Sequence, residues 1–447
     1  MLRAFQGLFA NDKELAMRPT IRRISLFFCF TFSLAVLCNI AQAQTFSVLH
    51  AFTNGGDGAD PLSGVTIGGP GILYGTAYQG GTGDNGYGGV VYKLAQRGSG
   101  WQLQPLYEFN YGLDGGPLGP VTIGRNGALY GTTYGGGTGD GGGTVFELQP
   151  PPTGCRTAIC YWNQTVLHSF AGLPNDGSEP QFTKLVFDQA GNLYGTTEYG
   201  GNGSGRFCNV IGRNAGCGTA FELSPSGGGW TYSIIHKFQN NGIDGVQPLF
   251  GMIFDPAGNL YGTTMYGGDP VQEAGAVFEL TPSGGTWTEN ILYDFFSAEN
   301  GSSANATTLI MDQSGNLYGS TDTGGAHSTG TVFELTRSEG GWVFSTLYTF
   351  TACSAQPIVR DTAGNLYGAC YAGGQYDYGW VFKLTNSGGS WTVTDLHDFN
   401  GRSDGAYPGP VVLDSSGNLY GTANEGGISG DCGLSSNGCG VVWEIAP

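Results

Sequence analysis

A sevenfold repeat of four apolar segments predicts an all-β chain, folded as a seven-bladed β-propeller of four-stranded antiparallel blades. Three observations carry that prediction. Leu-Tyr-Gly units place tyrosines at positions 74, 130, 194, 261, 318, 367 and 420, and self-similarity at such a period marks an array of one supersecondary unit. Glycine supplies 82 of 447 residues without a three-residue period, while 40% of residues are hydrophobic and 13% aromatic. The glycines therefore belong to turns around an ample core. The chain also begins on the fourth segment of a repeat and ends on the third.

Within each repeat the first segment is short and continuously apolar, as in Leu185-Val186-Phe187 or Met252-Ile253-Phe254, and is expected to be buried on both faces. A tight turn follows at Asp188, Asp255, Asp312, Asp361 and Asp414, each three residues before a glycine. The aspartate can accept bonds from turn backbone and the glycine can take a positive φ, so the pattern encodes a hairpin. The second segment is the Leu-Tyr-Gly stretch, for example Leu193 to Thr196. A glycine inside a strand suggests close approach of another backbone.

The third segment recurs as Val90 to Leu94, Thr144 to Leu148, Thr219 to Leu223, Ala276 to Leu280, Thr331 to Leu335, Trp380 to Leu384 and Val441 to Ile445. The fourth starts with Trp and reaches Phe eight residues later, from Trp101 to Phe109 through Trp391 to Phe399. Its alternating pattern suits a half-exposed outer strand. A seventh copy, Gln44 to Phe52, lacks the Trp and stands alone before the first repeat, whereas the last repeat lacks its fourth strand. Joining the N-terminal strand to the last blade, three plus one, closes a ring and leaves only short protected edges.

Residues 1–43 read as a signal peptide, with Met17 an alternative start. Arg18, Arg22 and Arg23 precede the apolar stretch Ile24 to Leu37, and Ala41-Gln42-Ala43 has the small-x-small cleavage pattern. The expected product is secreted or periplasmic, has no membrane span and is a monomer. Loss of five basic and two acidic residues with this segment takes the formal charge from −18 to −21, which argues against nucleic-acid partners. Eight cysteines remain in four close pairs, Cys155-Cys160, Cys208-Cys217, Cys353-Cys370 and Cys432-Cys439. Even counts at short spacing in an exported chain suggest disulfides; no Cys-x-x-Cys or neighbouring His suggests a metal.

The motif set Asp-x-x-Gly-Asn-Leu-Tyr-Gly-Thr-Thr, a Gly-Gly loop, Gly-Thr-Val-Phe-Glu-Leu, Trp-Thr and Leu-Tyr-x-Phe resembles the GloVer-type tandem-repeat proteins across residues 44–447. These are exported bacterial proteins whose C-terminal anchors differ; no such anchor is recognisable in this sequence. The stretch Val-x-Phe-Asp-x-x-Gly-Asn-Leu-Tyr also resembles NHL-type propeller repeats. The resemblance implies a propeller and export, and brings no catalytic residues.

Propeller topology puts the fourth-to-first and second-to-third connections on one face, and these are the variable loops. Loops on a rigid scaffold are where binding usually resides. Asp57, Asp114, Asp176, Asp244 and Asp404 each precede a glycine there. As a ring around the mouth they would gather Ca²⁺ or a polyhydroxylated ligand. Repetition once per blade favours instead a turn in which each Asp bonds its own loop. The asymmetric insertions Gly200 to Gly218, with Arg206 and Arg213, and Gly426 to Gly440, with Asp431, are the better candidates for ligand contact, together with Glu198. His50, His168, His236 and His397 occupy a slot that is Tyr107, Tyr293 and Tyr348 in other repeats, which suggests packing. No Gly-x-Ser-x-Gly, His-Glu-x-x-His or Gly-Lys-Ser/Thr motif is present. The leading expectation is a non-catalytic propeller that binds a glycan or protein through the variable-loop face, without cofactor. The alternatives are a carbohydrate-active hydrolase or lyase using acids such as Asp176, Glu198 or Asp244, and a structural envelope or matrix protein.

Overall fold

The computed structural model describes residues 44–447 except 83–87, 111–114, 138–140, 153–159, 211–212, 269–273, 296–307, 428–431 and 433–436. Seven four-stranded antiparallel sheets follow one another around a ring. Blade 1 spans residues 65–108, blade 2 122–169, blade 3 186–237, blade 4 253–294, blade 5 310–349 and blade 6 359–398. Blade 7 takes three strands from 406–446 and its outer strand from Thr45–Ala51, which pairs antiparallel with Val441–Ala446. The three-plus-one closure is as the strand count predicts. Among the described residues the only helix is the 3-10 turn Arg206–Cys208, and no helix is long and apolar enough to cross a membrane.

A side-chain bracket recurs at the seams. The tryptophan of an outer strand lies edge-on against the Leu-Tyr-Gly tyrosine of the preceding blade, as Trp162 on Tyr74, Trp230 on Tyr130, Trp287 on Tyr194 and Trp342 on Tyr261. The phenylalanine just past the outer strand packs against a third-strand aromatic of the following blade, as Phe170 on Phe221 and Phe238 on Phe278. Edge-to-face pairs like these add about 0.5–1.5 kcal/mol each beyond their buried area. Nearer the axis, Thr76 and Thr196 donate to the carbonyls of Gly119 and Phe250 at the entrance of the next blade.

The hairpin turns behave as their sequence suggests. Asp255 accepts from the backbone N–H of Ala257 and Asn259, from the Asn259 amide and from the Tyr261 hydroxyl. Burial alone would raise its pKa, but these donors outweigh that and hold the carboxyl below its usual range.

One expectation needs refining and one correcting. The inner strands do pack on both faces, Val186 and Ile253 toward the following blade and Phe187 and Phe254 toward the preceding one, but these side chains are only half-buried, because the edge of the strand borders the central channel. The strand glycine also makes room for a ring rather than for backbone. A Cβ on Gly195 would stand 2.6 Å from Cζ of Phe221, its direct cross-strand partner, and Gly262 has the same relation to Phe278 at 2.5 Å.

Three predicted disulfides are formed, Cys208–Cys217, Cys353–Cys370 and Cys432–Cys439. They are consistent with an extracellular protein. For the fourth pair, Cys155 lies outside the described residues. Cys353–Cys370 sits where the sixth repeat lacks Asp-Gly, and ties the same loop to the second strand covalently.

Candidate functional site

The variable-loop face is organised around the mouth of the channel. Asp60, Glu179, Gln247 and Tyr407 each precede a proline at the entrance to an inner strand, and all four have positive φ, between 57° and 60°. Such a backbone is costly for a non-glycine residue and persists only when its surroundings hold it. Here the N–H groups donate to Cys439, Gly142, Cys217 and Tyr378 in the loop of the preceding blade. The carbonyls of Asp60, Glu179 and Gln247 accept from Tyr78, Glu198 and Met265, just past their own second strands. The side chains at these positions are thereby held around the mouth by the scaffold itself.

Below the mouth lies a cavity of about 600 Å³, within the range of ligand pockets. Its wall is mainly apolar, from Val65, Ile67, Phe182, Phe250, Ile310, Ile358 and Val411, and carries Lys184, Asp322, Gln356, Tyr371, Tyr407 and Asn424 as its main polar groups. Tyr371 and Tyr407 stack with centroids 5.1 Å apart. Lys184 is the only basic residue of this wall. Its side chain is exposed to the channel space, and the surrounding channel walls crowd it. That crowding lowers its pKa from the usual lysine value by desolvation.

Carboxylates gather at the rim of blade 3. Glu198 is only 7% exposed and takes the position that Asp322, Tyr371 and Asn424 hold in blades 5 to 7. Burial pushes its pKa up to about 7; hydrogen bonds from Tyr199 and Gln181 oppose this, and the charge of Glu179 adds to it. Glu179 is itself raised by burial. Across the mouth, burial lifts Asp60 to about 6, against a hydrogen bond from Gln79 and with the help of Glu425. A carboxylic acid that holds its proton near neutral pH is suited to donating a hydrogen bond or a proton.

The remaining residues singled out from sequence fall elsewhere. Asp57, Asp176, Asp244 and Asp404 each accept backbone N–H groups of their own loop, from Thr53, Ala171, Gln239 and Asn400. Each also meets a histidine of the outer strand: His50, His168, His236 and His397, at 3.0 to 3.2 Å. These four aspartates are turn anchors outside the cavity wall. The histidines pack as well as bond: His168 stacks on Tyr232, and His397 on Phe46, of the next blade. Arg206 lies over Phe207, which stacks on Tyr266. Asp114 and Asp431 lie outside the described residues, as does the side chain of Arg213. Sequence reasoning reached Glu198 and missed Lys184, Glu179, Asp60, Tyr371 and Tyr407. The Lys184 signal was legible: it opens the apolar run Lys184-Leu185-Val186-Phe187, where the next blade has Gly251.

Comparison with solved structures gives the fold alone. A streptogramin B lyase structure superposes with a TM-score of 0.50 at 12% identity, covering 90% of this chain and 97% of that one. A catalytically inactive virginiamycin B lyase from Staphylococcus aureus with quinupristin gives 0.51 at 10% identity, covering 90% and 99%. No curated protein matches the sequence. The Gloeobacter/Verrucomicrobia repeat, however, matches residues 32–211 and 203–435, nearly the whole propeller. The chain belongs to the Gloeobacter/Verrucomicrobia repeat family.

Proposed function

We propose that this protein is an exported, non-catalytic binding propeller that takes a glycan carrying a single carboxylate into the channel at its variable-loop face. The observation that carries this reading is the cavity wall, which holds the stacked Tyr371 and Tyr407 and, from a different blade, one crowded cation, Lys184. Aromatic faces suit the apolar faces of sugar rings, and Gln356, Asn424 and Asp322 offer donors and acceptors for hydroxyls. A lysine without carboxylate partner among the described residues gains most from an anion that follows it out of bulk water. The chain's net charge of −18 opposes polyanions, so one acidic group per docked unit is favoured. Calorimetry with an oligosaccharide ending in a uronic acid, and with its neutral counterpart, tests the reading. The acidic sugar should bind more tightly, and Lys184→Met should weaken it by about ten- to a hundredfold, the worth of one charge-assisted hydrogen bond. Equal binding of both sugars, or no effect of Lys184→Met, would sink it.

A second reading, a carbohydrate-active hydrolase or lyase, is favoured by one observation, the paired Glu179 and Glu198 with one proton held near pH 7. It predicts turnover of some polysaccharide that disappears in Glu198→Gln; silence across a broad panel removes it.

A further inference from the structure

The seam between blades 3 and 4 departs from its neighbours at one position. Two residues past the outer-strand tryptophan, Tyr232 and Phe344 present a ring to His168 and Tyr293 of the preceding blade. Blade 7 uses Phe46 in the same way against His397, and in blade 2 Gln164 accepts from the Tyr107 hydroxyl. Blade 4 has Glu289 instead. Its carboxylate is 12% exposed and stands 3.6 Å, through Oε2, from Nε2 of His236. The same Nε2 is 3.3 and 3.2 Å from the two oxygens of Asp244, whose side chain is 8% exposed. Donor atoms of all three residues lie within 4.8 Å of one another, the only such group among the described residues. Oε1 of Glu289 is sealed from solvent and accepts no hydrogen bond. Two buried carboxylates facing one imidazole leave room for a cation: without one, a carboxyl must keep its proton or leave a buried charge uncompensated.

We propose that His236, Asp244 and Glu289 form a zinc-type divalent metal site that clips the outer strands of blades 3 and 4 together. Bonds of about 2.0–2.2 Å to nitrogen and oxygen set tetrahedral ligands about 3.3–3.6 Å apart; Nε2 of His236 already stands 3.2 to 3.6 Å from oxygens of both carboxylates, with all three donors within 4.8 Å. Asp244 is already oriented: the N–H of Gln239 holds its Oδ2 at 3.0 Å, which leaves Oδ1 for the ion, as an outer-shell donor should. Nε2 of His236 coordinates as the unprotonated nitrogen, with the ring proton on Nδ1. Two carboxylates then cancel the charge of the ion, and a water completes the set. Ca²⁺ fits less well, because it takes six to eight oxygens and no imidazole is needed for it. None of the three residues lines the central cavity, so the ion acts as a clip and the site is independent of the ligand reading above.

Titration of chelator-treated full-length mature protein with Zn²⁺ tests this in a non-coordinating buffer. One ion should bind per chain, Co²⁺ should give the visible absorption of a tetrahedral site, and Zn²⁺ should raise the unfolding midpoint. Glu289→Gln keeps the shape and should weaken Zn²⁺ binding by at least about a hundredfold, and abolish the midpoint shift. His168→Phe, at the equivalent slot of a seam whose third group is Tyr232, should leave one site intact. Wild type that takes up no Zn²⁺ and is stabilised by Glu289→Gln would overturn the proposal, since Asp244 and Glu289 would then simply share a proton. Unchanged affinity in Glu289→Gln would overturn it equally.

Discussion

Glu198 shows how one residue couples the architecture of the mouth to pH. It holds its proton up to about pH 7, against 4.5 for an ordinary glutamate, so between those values the folded chain binds more protons than the unfolded one. Stability must therefore fall as pH rises through this window. Each pKa unit is worth about 1.4 kcal/mol, which makes the Glu198 contribution about 3 kcal/mol. Asp60, raised to about 6, acts in the same direction. The hairpin carboxylates act in the opposite one: Asp255, Asp312 and Asp361 are lowered below 3.8, since their hydrogen bonds outweigh the opposing effect of burial. Their stabilisation is present above the unfolded value and lost as pH falls through the folded one. Stability should thus peak in the mildly acidic range. Denaturant titrations from pH 3 to 8 should show this maximum, and Glu198→Gln should flatten the limb above about pH 4.5. A limb of unchanged slope in that variant would show that the proton resides elsewhere. Sequence pointed to Glu198 through its place in a variable loop. It could not show the charge of Glu179, which comes from the other connection of that face, the fourth-to-first link into blade 3.

At the scale of the strand and hairpin, legibility depended on whether the cause was local. Asp255, Asn259 and Tyr261 lie within seven residues, and their mutual bonds follow from turn chemistry that any sequence reader can apply. The second-strand glycine was equally visible, but its reason lies across the sheet. Gly195 pairs with Phe221, Gly262 with Phe278 and Gly319 with Phe333, so the ring of the third strand lies over a residue without a side chain. Periodicity gave each strand separately; the register that joins glycine to ring came only with the pairing. The His–Asp pairs were legible by half. Their spacing of seven or eight residues repeats in four units, yet stacking of His168 on Tyr232 involves the next blade. Glu289 breaks the pattern of that same slot, and became noticeable only once the seams could be superimposed. The half-burial of the inner strands was hidden for a related reason. A short apolar run looks the same whether it is sealed in a core or borders a channel along one edge, and only ring closure decides which.

Closure of the whole molecule rests on nine residues that precede the first repeat. Thr45–Ala51 pairs with Val441–Ala446, and the same segment places Phe46 beside Trp443 and Phe52 against Tyr92 of blade 1. Phe52 is fully buried. The seam to blade 1 therefore carries the full bracket, Phe52 on Tyr92 and Trp101 on Tyr420, whereas the seam to blade 6 keeps Phe399 on Trp443 and replaces the missing tryptophan contact with Phe46 stacked on His397. Non-local pairing of this kind carries the loop-closure entropy of nearly the whole chain. Removing residues 44–52 should leave the edge of Val441–Ala446 unpaired and take a large aromatic out of each flanking seam, at about 3–5 kcal/mol per ring. Unpaired edges recruit other strands. The shortened chain, compared with residues 44–447, should unfold at lower denaturant with a smaller slope, and run as dimers or larger species in size-exclusion chromatography. A synthetic peptide of residues 44–53 added in trans should restore monomer and midpoint together, because it supplies both the strand and Phe52. A shortened chain that stays monomeric with an unchanged midpoint would mean that the ring is held by its first six seams and that the N-terminal strand is dispensable.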